Sequence, residues 1–297
     1  MTHERKNNMN DIDNLTFGAI DMHVHFGPES LMERRQDALR LARTAKEIGL
    51  RALVLKCREY NTVPIAQLVS ELVPEVQVFG SLTLENEIGG LNPAAAISAA
   101  RMGAKVIWMP TFSSSNSKSV VEKELGFTLP GEEQTILDSS GQLRAEAKEI
   151  LKIAKEFDIV VANGHISPKE TFALAEEAQK IGFKKLMITH ALQGALTSVL
   201  CSNDQLRELA AGGVYIEHSF WDLLPTMNSI DPAQIVDLVG TVNAEMCIMS
   251  TDLGQSYNPP APEGMRLFIG TMLRKGLKQD QVEMMVKTNP MKLLGLN

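Results

Sequence analysis

Eight times along this chain a short apolar run of strand character gives way to a segment whose apolar residues recur at helical spacing, and that alternation is what most restricts the fold. The first run, Gly18 to Phe26, is closed by Gly27-Pro28, which stops either kind of regular structure. The others are Ala52–Cys57, Val76–Thr83, Lys105–Met109, Ile159–Asn163, Lys185–Thr189, Val214–Glu217 and Ala244–Met249. Helical spacing marks Glu33–Ile48, stopped at Gly49, then Pro64–Leu72, and a segment from the cap Asn92 with Pro93 behind it to Gly103. Leu143–Phe157 follows, and then a helix opened by the capping box Ser167-Pro168-Lys169-Glu170 and ended at Gly182. Further helices start near Asn203 and at Asp231-Pro232, and two more cover Glu263–Lys275 and Gln279–Lys287.

Strands joined through helices run parallel, and eight is the number that closes on itself. The expected fold is therefore α/β, a (β/α)8 TIM barrel in a single domain over residues 16–297, after a mobile tail at 1–15 that contains His3. An open doubly wound sheet is the runner-up, but no Gly-rich phosphate turn follows the first strand. Thr111 to Gln142, rich in Ser, Gly and charge, reads as a long loop after strand 4 of the kind that forms lids and binding loops.

The net charge is -7 with no basic block, which argues against a nucleic-acid or anionic-membrane partner and leaves a small molecule as the expected ligand. No apolar run spans a membrane and no leader precedes the first strand, so the cytoplasm is the expected compartment. Cys57, Cys201 and Cys247 lie far apart and suggest neither a disulfide framework nor a thiolate metal site. Assembly into a homo-oligomer stays open.

On a strand alternate side chains share a face, so Asp21, His23 and His25 point the same way. Two imidazoles side by side before a turn make half of a divalent-metal site. His165, His190 and His218 each fall at or just past the end of a predicted strand, and Asp252 follows the last one. The C-terminal rim is where barrels of this kind carry their chemistry. Glu217 and His218 are adjacent on strand 7 and face opposite ways, and His218, nearer the rim, is the candidate substrate contact.

His-x-His on strand 1, single histidines after strands 5 and 6, and an aspartate after strand 8 resemble the amidohydrolase superfamily of metal-dependent hydrolases. The resemblance extends to the closing Asn289-Pro290-Met291-Lys292-Leu293-Leu294. It implies that His23, His25 and Asp252 hold one divalent cation, while His165 and His190 hold a second or contact substrate. Such ligands suit zinc first, and also iron, nickel or manganese. Asp252 would then take a proton from the attacking water and pass it to the leaving group.

The expected reaction is hydrolysis of an amide, cyclic amide, lactone or related C–N or C–O bond. A metal-dependent decarboxylase or hydratase of a small carboxylate is the alternative, with Arg58 to hold the carboxylate. A silent binding barrel would have lost ligands, and none of the five expected positions is lost. A deaminase is disfavoured because Glu170, the nearest acid after His165, is committed to a capping box.

Binuclear members of the superfamily add a carboxylated lysine from strand 4, and here that strand ends Trp108-Met109-Pro110-Thr111 with no such residue. Lys56, closing strand 2, is the nearest substitute as a carbamate bridge; it reads equally as a free ammonium for a substrate oxyanion or as an ion-paired rim lysine. Glu85 is the other candidate bridge, or else a solvated loop acid. Trp108 and Trp221 are candidates for pocket walls or for core packing.

Overall fold

The computed structural model describes residues 11–194, 197, 199–225 and 230–296. Its strands are β1 (Ile20–His25), β2 (Ala52–Lys56), β3 (Gln77–Thr83), β4 (Val106–Trp108), β5 (Val160–Ala162), β6 (Leu186–Ile188), β7 (Tyr215–Ser219) and β8 (Cys247–Ser250). They form one sheet in chain order, β1 to β8. Register is parallel throughout the middle, with Ser81 opposite Val106, Val106 opposite Val160, and Met187 opposite Tyr215. β1 meets β8 through a parallel bridge from Val24 to Leu253, where the His25 N–H donates to the Leu253 carbonyl at 2.8 Å. Strands in chain order, parallel, with first and last in contact, make the (β/α)8 barrel expected from the alternation.

The helices are α1 (11–16), α2 (Ala38–Ile48), α3 (Val63–Leu72), α4 (Pro93–Arg101), α5 (Lys118–Leu125), α6 (Ala145–Glu156), α7 (Pro168–Lys180), α8 (Asn203–Ala211), α9 (Pro232–Val242), α10 (Ala261–Lys275), α11 (Gln279–Glu283) and α12 (Asn289–Leu294). A π-helical turn, Met284–Thr288, joins the last two. Every residue of β1 is buried, as expected of a parallel strand covered on both faces, where a run such as Ile20, Met22 and Val24 replaces polar alternation. α2 is typical of the covering layer. Asp37 accepts from the Arg40 N–H, Leu41, Ala42 and Ala45 are buried, and Gly49 ends the helix with φ 88°.

Packing divides the chain into two units, neither continuous in sequence: one gathers the described residues of 1–55, 65–79 and 219–297, the other those of 56–64 and 80–218. The first carries β1 and β8. The second carries β4, β5 and β6.

Four expectations are corrected. Of the predicted tail, residues 1–10, His3 included, lie outside the described residues, but 11–16 are helical because Leu15 and Thr16 are buried and Asp13 pairs with Arg266. The helix read from Glu33 starts only at Ala38, because Gly27 bridges to Asp37 and Arg34 to Gln255 in extended backbone. Within the long loop after β4, Lys118–Leu125 is helical, with Val121 buried and Gly126 as its left-handed stop. Ala244–Met246 is a 3₁₀ turn rather than the start of β8. Among the described residues no helix is long and apolar enough to cross a membrane.

Candidate metal centre

In the first unit, β1 delivers His23 and His25 to one face, and the chain leaves β8 so that Asp252 meets both. The Nε2 atoms of His23 and His25 lie 2.9 and 3.0 Å from the same Asp252 Oδ1. The three side chains are buried, and their ligand atoms fall within 4.8 Å of one another. Among the described residues they form the one cluster of three or more His, Cys, Asp or Glu side chains able to share an ion. Two imidazole nitrogens and a carboxylate oxygen converging in a desolvated pocket fit a divalent transition metal, since such donors are costly to bury together without a cation.

Backbone geometry holds this arrangement. The Asp252 N–H donates to the His23 carbonyl at 2.8 Å, and Asp252 itself adopts φ 54°. Left-handed backbone outside glycine is uncommon and clusters at functional positions, although Asp, Asn and His tolerate it best. Gly254 allows β1 and the following segment to approach, because a Cβ there would stand 2.4 Å from the His25 carbonyl oxygen. Asp21 ties the two strands together beneath the ligands. Its carboxylate accepts from the Thr251 N–H at 3.0 Å, the Thr251 hydroxyl at 2.5 Å and the His23 N–H at 3.2 Å. Burial nonetheless pushes the Asp21 carboxyl up to about 7, outweighing the bonds from Thr251 that favour its charged form.

The second unit brings His165 and His190 together, three and two residues past β5 and β6, with ring centroids 5.2 Å apart and edge-on. His190 is left-handed at φ 55°. His165 is seated by its backbone, whose N–H donates to the Pro110 carbonyl at 2.9 Å and whose carbonyl accepts from Ser114 Oγ and Asn116 Nδ2. Its Nδ1 faces the Ser117 hydroxyl at 3.4 Å. Gly164 makes that seat possible, since a Cβ there would lie 2.2 Å from the Met109 carbonyl oxygen.

Lys56 ends β2 buried, its Nζ 4.4 Å from the centroid of the Trp108 ring, a cation–π contact. Arg58 is buried too, paired with Glu87 at 3.0 Å and Glu59 at 3.3 Å and stacked over Phe112, which lies 5.8 Å from His165. Glu85 is fully buried rather than solvated: its carboxylate accepts from the Thr111 N–H and hydroxyl and from the Ser113 N–H, anchoring the start of the segment after β4. Glu170 forms the expected capping box with Ser167 and also accepts from Thr135 and Ile136.

His218, on β7, is buried with its Nε2 unpartnered, and burial pushes its imidazole down to about 4 while Glu217 beside it acts the other way. It is therefore neutral at pH 7. Trp108 and Trp221 are both buried.

Two features escaped the sequence reading. The Asp21–Thr251 tie joins residues adjacent to ligands on both sides, and the only trace of it is an acid two residues before His23 on the same strand face. The other is Arg34. Its Nε donates to Glu29 Oε2 at 2.5 Å, and its Nη2 pairs with the same oxygen and lies 3.3 Å from His25 Nδ1.

A family of unknown function, DUF6282, matches residues 18–217. No curated protein matches the sequence. Solved structures do match in fold. An amidohydrolase from Pseudomonas aeruginosa aligns over 97% of this chain and 98% of its own at a TM-score of 0.63 and 11% identity. A mutant lactonase of phosphotriesterase-like type from Deinococcus radiodurans aligns over 94% and 96% at 0.58 and 18%. The 2,6-dihydroxybenzoate decarboxylase from Rhizobium aligns over 94% and 99% at 0.54 and 12%. At these identities the likeness is one of fold, and it is the fold that the histidine pattern implied.

Proposed function

Given that the chain belongs to the family DUF6282, we propose its function from the geometry of its strand ends: a metal-dependent hydrolase that cleaves an amide, cyclic amide, lactone or related C–N or C–O bond of a small molecule. One observation carries the reading. His23 Nε2 and His25 Nε2 face a single oxygen of Asp252 at 2.9 and 3.0 Å in a buried pocket. The amidohydrolase and the lactonase that share the fold support it.

A divalent cation bound by these three residues, zinc first by donor type, supplies Lewis acidity and lowers the pKa of water toward about 7. Asp252 is placed to take the proton of the attacking water and return it to the leaving group. His165 and His190 stand as further contacts to metal or substrate, and neutral His218 offers its unpartnered Nε2 to a polar substrate group.

The cation–π contact of Lys56 supports the ammonium rather than the carbamate reading, because an anion would meet the negative face of the Trp108 ring. That favours one cation over a lysine-bridged pair. Arg58, already engaged by Glu87 and Glu59, is poorly placed to hold a carboxylate, which favours the hydrolase over the decarboxylase or hydratase. The absence of any disulfide among Cys57, Cys201 and Cys247 agrees with a reducing, cytoplasmic setting.

The test is elemental analysis of protein purified without chelator, together with a hydrolase substrate panel. About one equivalent of transition metal per chain, lost with activity on chelation and restored by zinc, is expected. Protein without metal that gains no activity from added metal refutes the assignment.

A further inference from the structure

The Arg34 side chain is 3% exposed, yet its Nη1 has no hydrogen-bond partner. A guanidinium offers five N–H donors, and a buried one is ordinarily surrounded by acceptors. Here Glu29 occupies the edge formed by Nε and Nη2. The second Nη2 proton faces His25 Nδ1 at 3.3 Å. Both Nη1 protons remain without an acceptor. Leaving a desolvated cation partly unsatisfied is costly, and the cost is recovered when an acceptor arrives.

The contact with His25 adds a second argument. Nδ1 accepts from Arg34 only while its own lone pair is available, which puts the ring proton on Nε2. An imidazole whose Nε2 serves as a metal ligand carries its proton on Nδ1 and normally donates it to an acceptor. In that state His25 no longer accepts from Arg34. The end of the guanidinium, Nη1 and Nη2 together, is then open as a two-pronged donor, one imidazole ring away from Asp252.

We propose that Arg34 is a specificity-determining residue that binds a carboxylate of the substrate, a few bonds from the group cleaved at His23, His25 and Asp252. The proposal rests on the hydrolase reading of that site. The planar two-proton edge matches the two oxygens of a carboxylate. A monoanion also suits the local charge better than a phosphate, because Glu29 already offsets Arg34 and Asp252 adds a further negative charge. The substrate class is thus an amide or lactone bearing a free carboxylate, such as an N-acyl amino acid or a cyclic amide acid.

The experiment uses the metal-loaded full-length protein and two series of probes: the monohydroxamates of malonic, succinic and glutaric acid, and the same compounds with the carboxylate replaced by a carboxamide. The hydroxamate engages the metal in both series, so calorimetry isolates the second group. At the best chain length the carboxylate should bind about tenfold tighter or better. The preference should vanish in Arg34→Gln, with metal content and carboxamide affinity unchanged. Should Arg34→Gln fail to fold, Glu29→Gln/Arg34→Gln removes both buried charges and gives the same readout.

Protein that holds metal but binds both series alike, or a preference that survives loss of Arg34, overturns the proposal and leaves the hydrolase reading intact. Protein that holds no metal and binds neither series overturns both.

Discussion

Burial of His218 as a neutral imidazole should give the protein a measurable weakness toward acid. The group titrates near 6.5 when exposed and is pushed down to about 4 in the folded chain. At about 1.4 kcal/mol per tenfold difference in proton affinity, that separation is worth about 3 kcal/mol. The sign follows from the depressed folded value: the stability is present above pH 6.5 and is lost as pH falls toward 4, because the unfolded chain takes up the proton first. About 2 kcal/mol of the loss falls between pH 7 and pH 5.

Replacing His218 by Gln removes the titrating ring and keeps a polar side chain at the end of β7. Urea unfolding of both proteins at pH 7, 6 and 5 reads the difference. Wild type should lose about 2 kcal/mol more than His218→Gln across that interval. Because the comparison is between slopes, any uniform destabilisation by the substitution cancels. Parallel pH profiles would refute the claim that His218 is held neutral by burial, and with it the role given to its Nε2.

Asp252→Asn keeps the size of the side chain and removes its charge and basicity. Turnover should fall by about 10²–10⁴-fold with the far-UV spectrum unchanged, and a variant turning over at the wild-type rate rules out the proton-transfer role. Gly164→Ala places a Cβ 2.2 Å from the Met109 carbonyl oxygen at a position with φ 59°. It should cost at least about 2 kcal/mol and lower Tm by about 5 °C or more, and an unchanged Tm would show that the backbone around His165 yields more readily than argued.

Much of the barrel was legible because its strands are short apolar runs punctuated by residues with one physical meaning. Asn92 and Ser167 cap where the chain predicts, each accepting from the backbone N–H three residues on, and Gly49 adopts the left-handed turn its position implied. The failures have a common cause, since long-range contacts decided against local preference. Glu33 to Gln36 has helix-forming composition but is drawn into extended backbone by bridges that include one to Gln255. Residues 11–16 have no pattern long enough to announce a helix, and tertiary burial of Leu15 creates one.

The candidate site shows the same division. His23 and His25 were visible because a spacing of two on a strand has one geometric consequence, and Asp252 because it follows a strand end. Arg34 was invisible. Arg34 and Arg35 are neighbours of one type, yet Arg35 is exposed and bonds the Ser256 carbonyl while the Arg34 side chain turns inward to Glu29 and His25. Nothing local distinguishes them, since the choice is made by packing against residues that a one-dimensional pattern does not locate. Glu85 was misjudged for a similar reason, because its partners Thr111 and Ser113 come from another strand end.

The left-handed backbone at Asp252 and His190 limits how this protein can be re-engineered for another metal. The usual way to shift a carboxylate ligand outward is to lengthen it by one methylene, but glutamate has none of aspartate's tolerance for φ near 54°. The exchange would carry a conformational penalty of about 1 kcal/mol or more before any change in coordination is felt. Libraries at these two positions should therefore yield mainly Asn, Gly, Asp and His, and changes in metal preference are better sought around them, at Asp21, Thr251 and Arg34.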